Sequence, residues 1–312
     1  MLYPTYSQQY LSTSRAPTWP FVRRRFERLL ANLQLTPDQL DGSETSHRNV
    51  VACLNRAYWG ISHEVAHSEL IGSRGKGTRV RPPRDVDVLF QLPSSVYERF
   101  EERQGNKQSQ LLQEVRDVLI GTFPATRMRA DGQVVVIPFN SCPIEVAPGF
   151  VLEGGGYWIC DTNDGGRYKW VYPGAELADL DYWDRQLNGN VRKLAQIFKQ
   201  WQRFCNVPIE SFQLEALIKE ALRALRYGAG DEYWYDWLVR DVLEHMQYRA
   251  DGSFPMPGTG EIIFLGNAWL SRVQTAYARA VRACDHEHDD NDEGAGEEWQ
   301  KIFGPNVPLT VT

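Results

Sequence analysis

The chain has 312 residues, 42% hydrophobic and 24% charged, with a net charge of −6. That is the make-up of an ordinary soluble globular protein, long enough for one large domain or two lobes with substantial cores. It excludes a membrane span, since no run approaches the roughly 20 apolar residues one needs. The acidic balance argues against a long, non-specific grip on duplex nucleic acid, which requires phosphates to be neutralised.

The N-terminal stretch MLYPTYSQQYLSTSRAP lacks the charged-then-apolar order of a secretory leader, so the expected location is the cytoplasm, with no membrane partner. Next, WPFVRRRFERLLANLQL places Phe21, Val22, Phe26, Leu29, Leu30 and Leu33 at helical spacing, and its basic strip over 23–28 reads as a solvated helix face. Thr36-Pro37-Asp38 is a helix start, and a second helix runs through SHRNVVACLNRAYWG to stop near Gly60. SELIGS and RDVDVLFQL read as strands joined by a turn rich in Gly, Arg and Pro. KQSQLLQEVRDVLIGTF carries a helical stripe of Leu111, Leu112, Val115, Val118 and Leu119. QVVVIPFN and CPIEVAPGF are β-rich, and GGYWICDT with RYKWVYP forms a hairpin around Asn163-Asp164-Gly165-Gly166. The first lobe is thus a mixed sheet flanked by helices. After Pro173 the pattern turns helical, most cleanly over FQLEALIKEALRALRY, and stays so to the end. The predicted fold class is α+β, with lobes over 1–178 and 179–312. The acidic run DHEHDDNDEGAGEE over 285–298 reads as a solvated, mobile linker. Five scattered cysteines, Cys53, Cys142, Cys160, Cys205 and Cys284, include no CxxC pair and read as reduced, buried thiols.

Two catalytic signatures compete within residues 63–90. His63-Glu64-Val65-Ala66-His67 spells the H-E-x-x-H of a zinc protease, which requires both imidazoles on one continuous helix. Gly60 stands three residues before it and the strand SELIGS begins at its end, so the histidines read as partly exposed helix-end residues. The other signature is the strand RDVDVLF. Alternation sends Asp85, Asp87 and Leu89 to one face, with the two carboxylates about 6–7 Å apart. Side by side they repel, and a Mg²⁺ ion with substrate phosphates relieves that repulsion. Glu145, between Ile144 and Val146, supplies a third acid from a neighbouring strand. Upstream, Gly72 permits close approach of a phosphate and Ser73 offers N–H and hydroxyl donors. GSRGKGT is not a P-loop, because Lys76 is followed by Gly77.

With these motifs in view, the chain resembles the DNA polymerase β-type nucleotidyltransferases. Within them it is similar to the bacterial cyclic-oligonucleotide synthases of anti-phage defence, relatives of the oligoadenylate synthases and cyclic GMP-AMP synthase. GSRGKGTRVRPPRDVDVLF matches their Gly-Ser and D-x-D signature. IEVAPGF resembles their third-carboxylate strand, with Glu145 where the family more often carries Asp. The resemblance extends over YKWVYPGAELADLDYWDRQLNGNVRKLAQIFKQW, ESFQLEALIKEAL and the closing EEWQKIFGPNVP. It implies a polymerase-β-like nucleotidyltransferase lobe, a C-terminal helical lobe and an active site in the cleft between them. It also implies that Lys199 and Ser211 contact donor phosphates and that Phe212 stacks on the base. The zinc insertion with which the animal enzyme grips DNA is missing, so no duplex DNA activator is expected.

The expected reaction is two-metal phosphoryl transfer, with Asp85, Asp87 and Glu145 holding two Mg²⁺ ions, or Mn²⁺ in their place. Gly72, Ser73, Lys199 and Ser211 fix the triphosphate of NTP substrates, ATP among them. The product is a cyclic di- or trinucleotide read by an effector protein. Two rivals remain: transfer of a single nucleotide to a protein, RNA end or small molecule, and a nucleotide sensor without catalysis.

Overall fold

A computed structural model of the chain describes residues 20–311; the N-terminal stretch read above for a secretory leader lies outside them. Helix α1 covers Pro20–Leu33 and α2 covers Pro37–Trp59. The start of α2 follows from local chemistry. Thr36 accepts the Gln39 N–H, Gln39 answers with a bond from the Thr36 N–H, and Pro37 presets the first turn. Gly60 closes it in the left-handed region at φ 67°. The helix is therefore continuous from Pro37, longer than its apolar periodicity alone announces.

The chain divides into two compact units, one of Leu35–Asp179 with Pro257–Gly260, the other of the remainder. The first holds a seven-stranded mixed sheet: β1 (Ser68–Leu70), β2 (Val86–Gln91), β3 (Arg129–Asp131), β4 (Val134–Ile137), β5 (Ile144–Val151), β6 (Tyr157–Asp161) and β7 (Arg167–Val171). The order is β1-β2-β5-β4-β3, with β6 beside β5 and β7 beside β6; β2 and β5 run parallel and the other pairs antiparallel. Gly72–Gly75 forms one helical turn, α3, where a strand was expected; α4 (Ser94–Glu101), unforeseen, and α5 (Lys107–Thr122) complete the unit. One sheet face presents Val86, Val88, Phe90, Ile144 and Val146 to Val50, Val51 and Leu54 of α2 and to Leu111, Leu112 and Val115 of α5. This is the main core. Each of these side chains, fully buried, contributes about 1.5–3 kcal/mol.

The second unit is helical: α6 (Pro173–Gln186, which enters it at Leu180), α7 (Asn190–Phe204), α8 (Ser211–Ala224), α9 (Tyr235–Gln247), α10 (Leu270–His288) and α11 (Asp292–Phe303). A two-stranded hairpin, β8 (Ser253–Pro255) with β9 (Ile262–Phe264), interrupts the expected run of helices.

Two expectations are corrected here. The acidic run over 285–298 is no mobile linker, and in the basic strip over 23–28, where Arg23, Arg24 and Arg28 are exposed as a solvated face requires, Arg25 is the exception; that one side chain explains both. Arg25 is fully buried. Its guanidinium donates to Glu287 at 2.8 Å, to the Asp292 carboxylate at 2.6 Å, and to the carbonyls of Pro308, Leu309 and Asp292. The acids fold because a buried cation waits for them. α1 accordingly belongs with the helical unit, not with the first lobe as the sequence reading had it.

Burial pushes the Glu287 carboxyl up to about 7, with Asp236 adding to the rise and Arg25 opposing it. The native state therefore holds this proton more tightly than the unfolded chain. Stability from this group is full at acid pH and lost as pH rises from about 4.5 through 7. Glu287→Gln should flatten that slope, read as a smaller shift of the urea midpoint between pH 5 and pH 8 than in the parent.

Candidate active site

Parallel pairing of β2 with β5 sets the register Val86↔Ile144, Asp87↔Glu145, Val88↔Val146. Because neighbouring strands lie about 4.8 Å apart, Asp87 and Glu145 stand side by side on one face. They share it with Leu89 and Ala147, which are buried in a small apolar patch with Ile159. The opposite face is the main core. Asp85 lies one residue before β2 and, like Asp87 and Glu145, is half-buried.

The gathering of acids is felt at Glu145 and at Cys142. The Glu145 carboxyl is held above the usual carboxylate range, first by burial and then by the Asp85 charge; Arg129 and Arg84 pull the other way. The Cys142 thiol is pushed up to about 11 by burial and by both Asp85 and Asp87. A glutamate that resists ionising beside an aspartate is a set of oxygen donors short of positive charge. That chemistry fits a hard divalent cation such as Mg²⁺. Among the described residues no three His, Cys, Asp or Glu side chains already converge at ligating distance.

Gly72 abuts this pair. Its φ is +57°, and a Cβ there would lie 1.8 Å from Asp87 Oδ2. Only glycine fits, on both counts. Ile71 N–H donates to the Asp87 carbonyl at 3.0 Å, and Thr78 N–H to the Ser73 carbonyl at 2.9 Å, so the turn is pinned to β2. Arg74 anchors it from the other side in an ion pair with Glu44 of α2, and Lys76 pairs with Glu176 at 3.0 Å.

The remaining sequence-predicted residues lie in the helical unit. Lys199 of α7 is only 7% exposed and donates from Nζ to Glu215 Oε1 at 2.7 Å. Ser211 is the first residue of α8, following the cap Glu210, and its hydroxyl meets Gln202 Oε1 at 3.4 Å. The Phe212 ring lies 6.4 Å from that of Phe254 on β8.

The histidines of the H-E-x-x-H run are not on a helix. α2 ends at Trp59. His63 Nδ1 caps the N–H groups of Val65 and Ala66, while His67, at φ 56°, stacks on Trp59 and bonds Asn55. They form a turn, not the helix end expected. Sequence reasoning missed Arg84 and Arg129 as counter-charges to Glu145, and the Glu215 partner of Lys199. The first had a visible signal, the basic run RVRPPR directly before the aspartates.

Residues 21–182 match the family model of the Second Messenger Oligonucleotide or Dinucleotide Synthetase domain. No curated protein matches the sequence. Among solved structures, the chain is similar to E. coli MS115-1 CdnC bound to ATP, with TM-score 0.67 and 14% identity, covering 92% of this chain and 98% of that one. The same relative in a CdnC:HORMA-deltaN complex gives TM-score 0.62 at 14% identity, covering 88% and 94%. Vibrio cholerae DncV cyclic AMP-GMP synthase, in complex with nonhydrolyzable GTP, gives TM-score 0.64 at 14% identity, covering 98% and 92%.

Proposed function

The chain belongs to the family of Second Messenger Oligonucleotide or Dinucleotide Synthetase domains, nucleotidyltransferases that make cyclic oligonucleotides, and from that premise we propose that Asp85, Asp87 and Glu145 carry its chemistry. The single observation behind this assignment is the Asp87↔Glu145 register with Gly72 packed against Asp87. The three carboxylates would hold Mg²⁺ or Mn²⁺, as two ions. Bound there, the metal supplies positive charge for an acceptor ribose hydroxyl and for the departing pyrophosphate.

The substrates are NTPs, with ATP among them. An acceptor hydroxyl attacks the α-phosphorus in line and pyrophosphate leaves, a reaction in which positioning and charge do most of the work. Gly72 leaves room for a phosphate beside Asp87, and Ser73 offers its N–H and hydroxyl. In the helical unit, Lys199 exchanges Glu215 for donor phosphate and Ser211 adds a hydroxyl in the first turn of α8. Phe212 stacks on the base, steadied by Phe254. Repetition of the step and ring closure give a cyclic di- or trinucleotide, which an effector protein reads in anti-phage signalling.

The test is mass spectrometry of products formed from the four NTPs with Mg²⁺ or Mn²⁺. Cyclic di- or trinucleotide is expected, with pyrophosphate released in step. A labelled product that forms only when a protein, RNA or small-molecule acceptor is added would replace this reading with single-nucleotide transfer. Excess EDTA should stop pyrophosphate release altogether, and Mg²⁺ added beyond the chelator should restore it. Release that persists in EDTA would remove the metal from the account.

A further inference from the structure

Far along α7 from its first turn, and confined to the helical unit, lies a cavity of about 290 Å³ between the end of α7 and one face of α10. Trp201, Phe204 and Cys205 line one wall; Arg272, Thr275 and Arg279 line the other. The two arginines are seven residues apart, two turns on the same face of the helix. Both side chains line the same cavity as Cys205.

Of the described residues no acid meets either cation of this cavity, unlike the enclosed Arg25, which takes two carboxylates. Among the described residues neither Arg272 nor Arg279 makes an ion pair, and no carboxylate lines the cavity. Arg279 donates to the Lys301 carbonyl at 2.5 Å. Capping of α7 does not explain them either. Its last carbonyls are met by backbone, with Cys205 N–H on Trp201, Asn206 N–H on Arg203 and Val207 N–H on Gln202. Two further features suit a ligand. Phe204 is 46% exposed, with its ring packed on Gly304, where a Cβ would lie 2.7 Å from it. Trp201 is 1% exposed, and its indole N–H has no acceptor, a deficit that costs about 1–3 kcal/mol where nothing compensates it.

We propose that this cavity is a second ligand site, distinct from the carboxylate site, that takes a phosphorylated planar molecule of the nucleotide class. Arg272 and Arg279 grip the phosphate, Thr275 adds a hydroxyl, and the planar ring lies on Phe204. Its size is at the small end for ligand pockets, about 300–1,000 Å³, and suits a small molecule rather than a polymer.

Cys205 gives the test a local reporter, since it is half-buried while the other four thiols are buried. The wild-type chain is treated with iodoacetamide in EDTA, and modification of Cys205 is followed by peptide mass spectrometry. ATP should slow alkylation several-fold in a saturable manner, and pyrophosphate should do so at higher concentration. The Arg272→Glu/Arg279→Glu variant should lose that protection. A rate unchanged by ATP and pyrophosphate, or protection that survives in the variant, overturns the proposal. If the thiol does not react, titration calorimetry decides. Wild type should bind one more ATP than the variant, and equal stoichiometry overturns the site. Neither readout involves turnover, so failure here leaves the carboxylate assignment standing.

Discussion

Asp87→Ala reduces pyrophosphate release from NTPs by about 10³-fold or more, because the charge stabilisation at a metal-assisted phosphoryl centre amounts to several kcal/mol. The fold should survive. Asp87 lies on the sheet face away from the main core, beside Glu145. Its replacement should leave the circular dichroism spectrum and a cooperative urea transition in place. It should also bring the Cys142 thiol down toward its ordinary value, since Asp87 is one of the charges holding it up. Asp87→Asn, which keeps the shape against Gly72 but not the charge, should be as inactive as alanine. If either variant releases pyrophosphate at the parental rate, the assignment of the carboxylates fails; if both are dead but unfolded by circular dichroism, shape rather than charge was lost.

The second large effect is on stability. Arg25→Ala should cost about 3–5 kcal/mol, the range for breaking a buried ion pair by removing one partner. That is a large fraction of the 5–15 kcal/mol that holds a typical domain together. The loss strands the Glu287 carboxylate, 0% exposed, and releases the carbonyls of Pro308 and Leu309. Glu287 would then take up a proton well above neutral pH. Arg25→Met combined with Glu287→Gln removes both charges and should recover a substantial part of the loss in urea unfolding. A single Arg25→Ala variant with the parental midpoint would show that the network is idle.

The strand RDVDVLF was legible because alternation is a property of neighbouring residues: Val86 and Val88 are buried and Asp87 is not, as its period requires. What alternation does not carry is register. That Asp87 sits beside Glu145, rather than two residues off, follows from the parallel pairing of β2 with a strand 58 positions further on. The β8–β9 hairpin had signals of its own, a Pro-Gly turn in MPGTGE and the β-branched Ile262 and Ile263, but they stood among helical patterns and were outweighed. The acidic run over 285–298 misled for a different reason. Charge density marks solvated chain only when the charges have nowhere else to go. Here the partner is Arg25, 262 residues away, in a strip whose other arginines are exposed. Lys199 poses the same problem at shorter range. Nothing in the helical spacing of α7 announces that its ammonium is met by Glu215 on the next helix.

The tie between Arg25 and the acids near the far end has a consequence for synthesis. At about 5–20 residues per second, translation leaves the first helix waiting for tens of seconds before Glu287 leaves the ribosome. The sheet unit over Leu35–Asp179, whose internal pairings are all available by then, can complete itself in that interval. The helical unit is thus the last to close, its opening segment held in reserve until the final turns emerge, and truncations near the C-terminus should leave α1 without a home while the sheet unit forms normally.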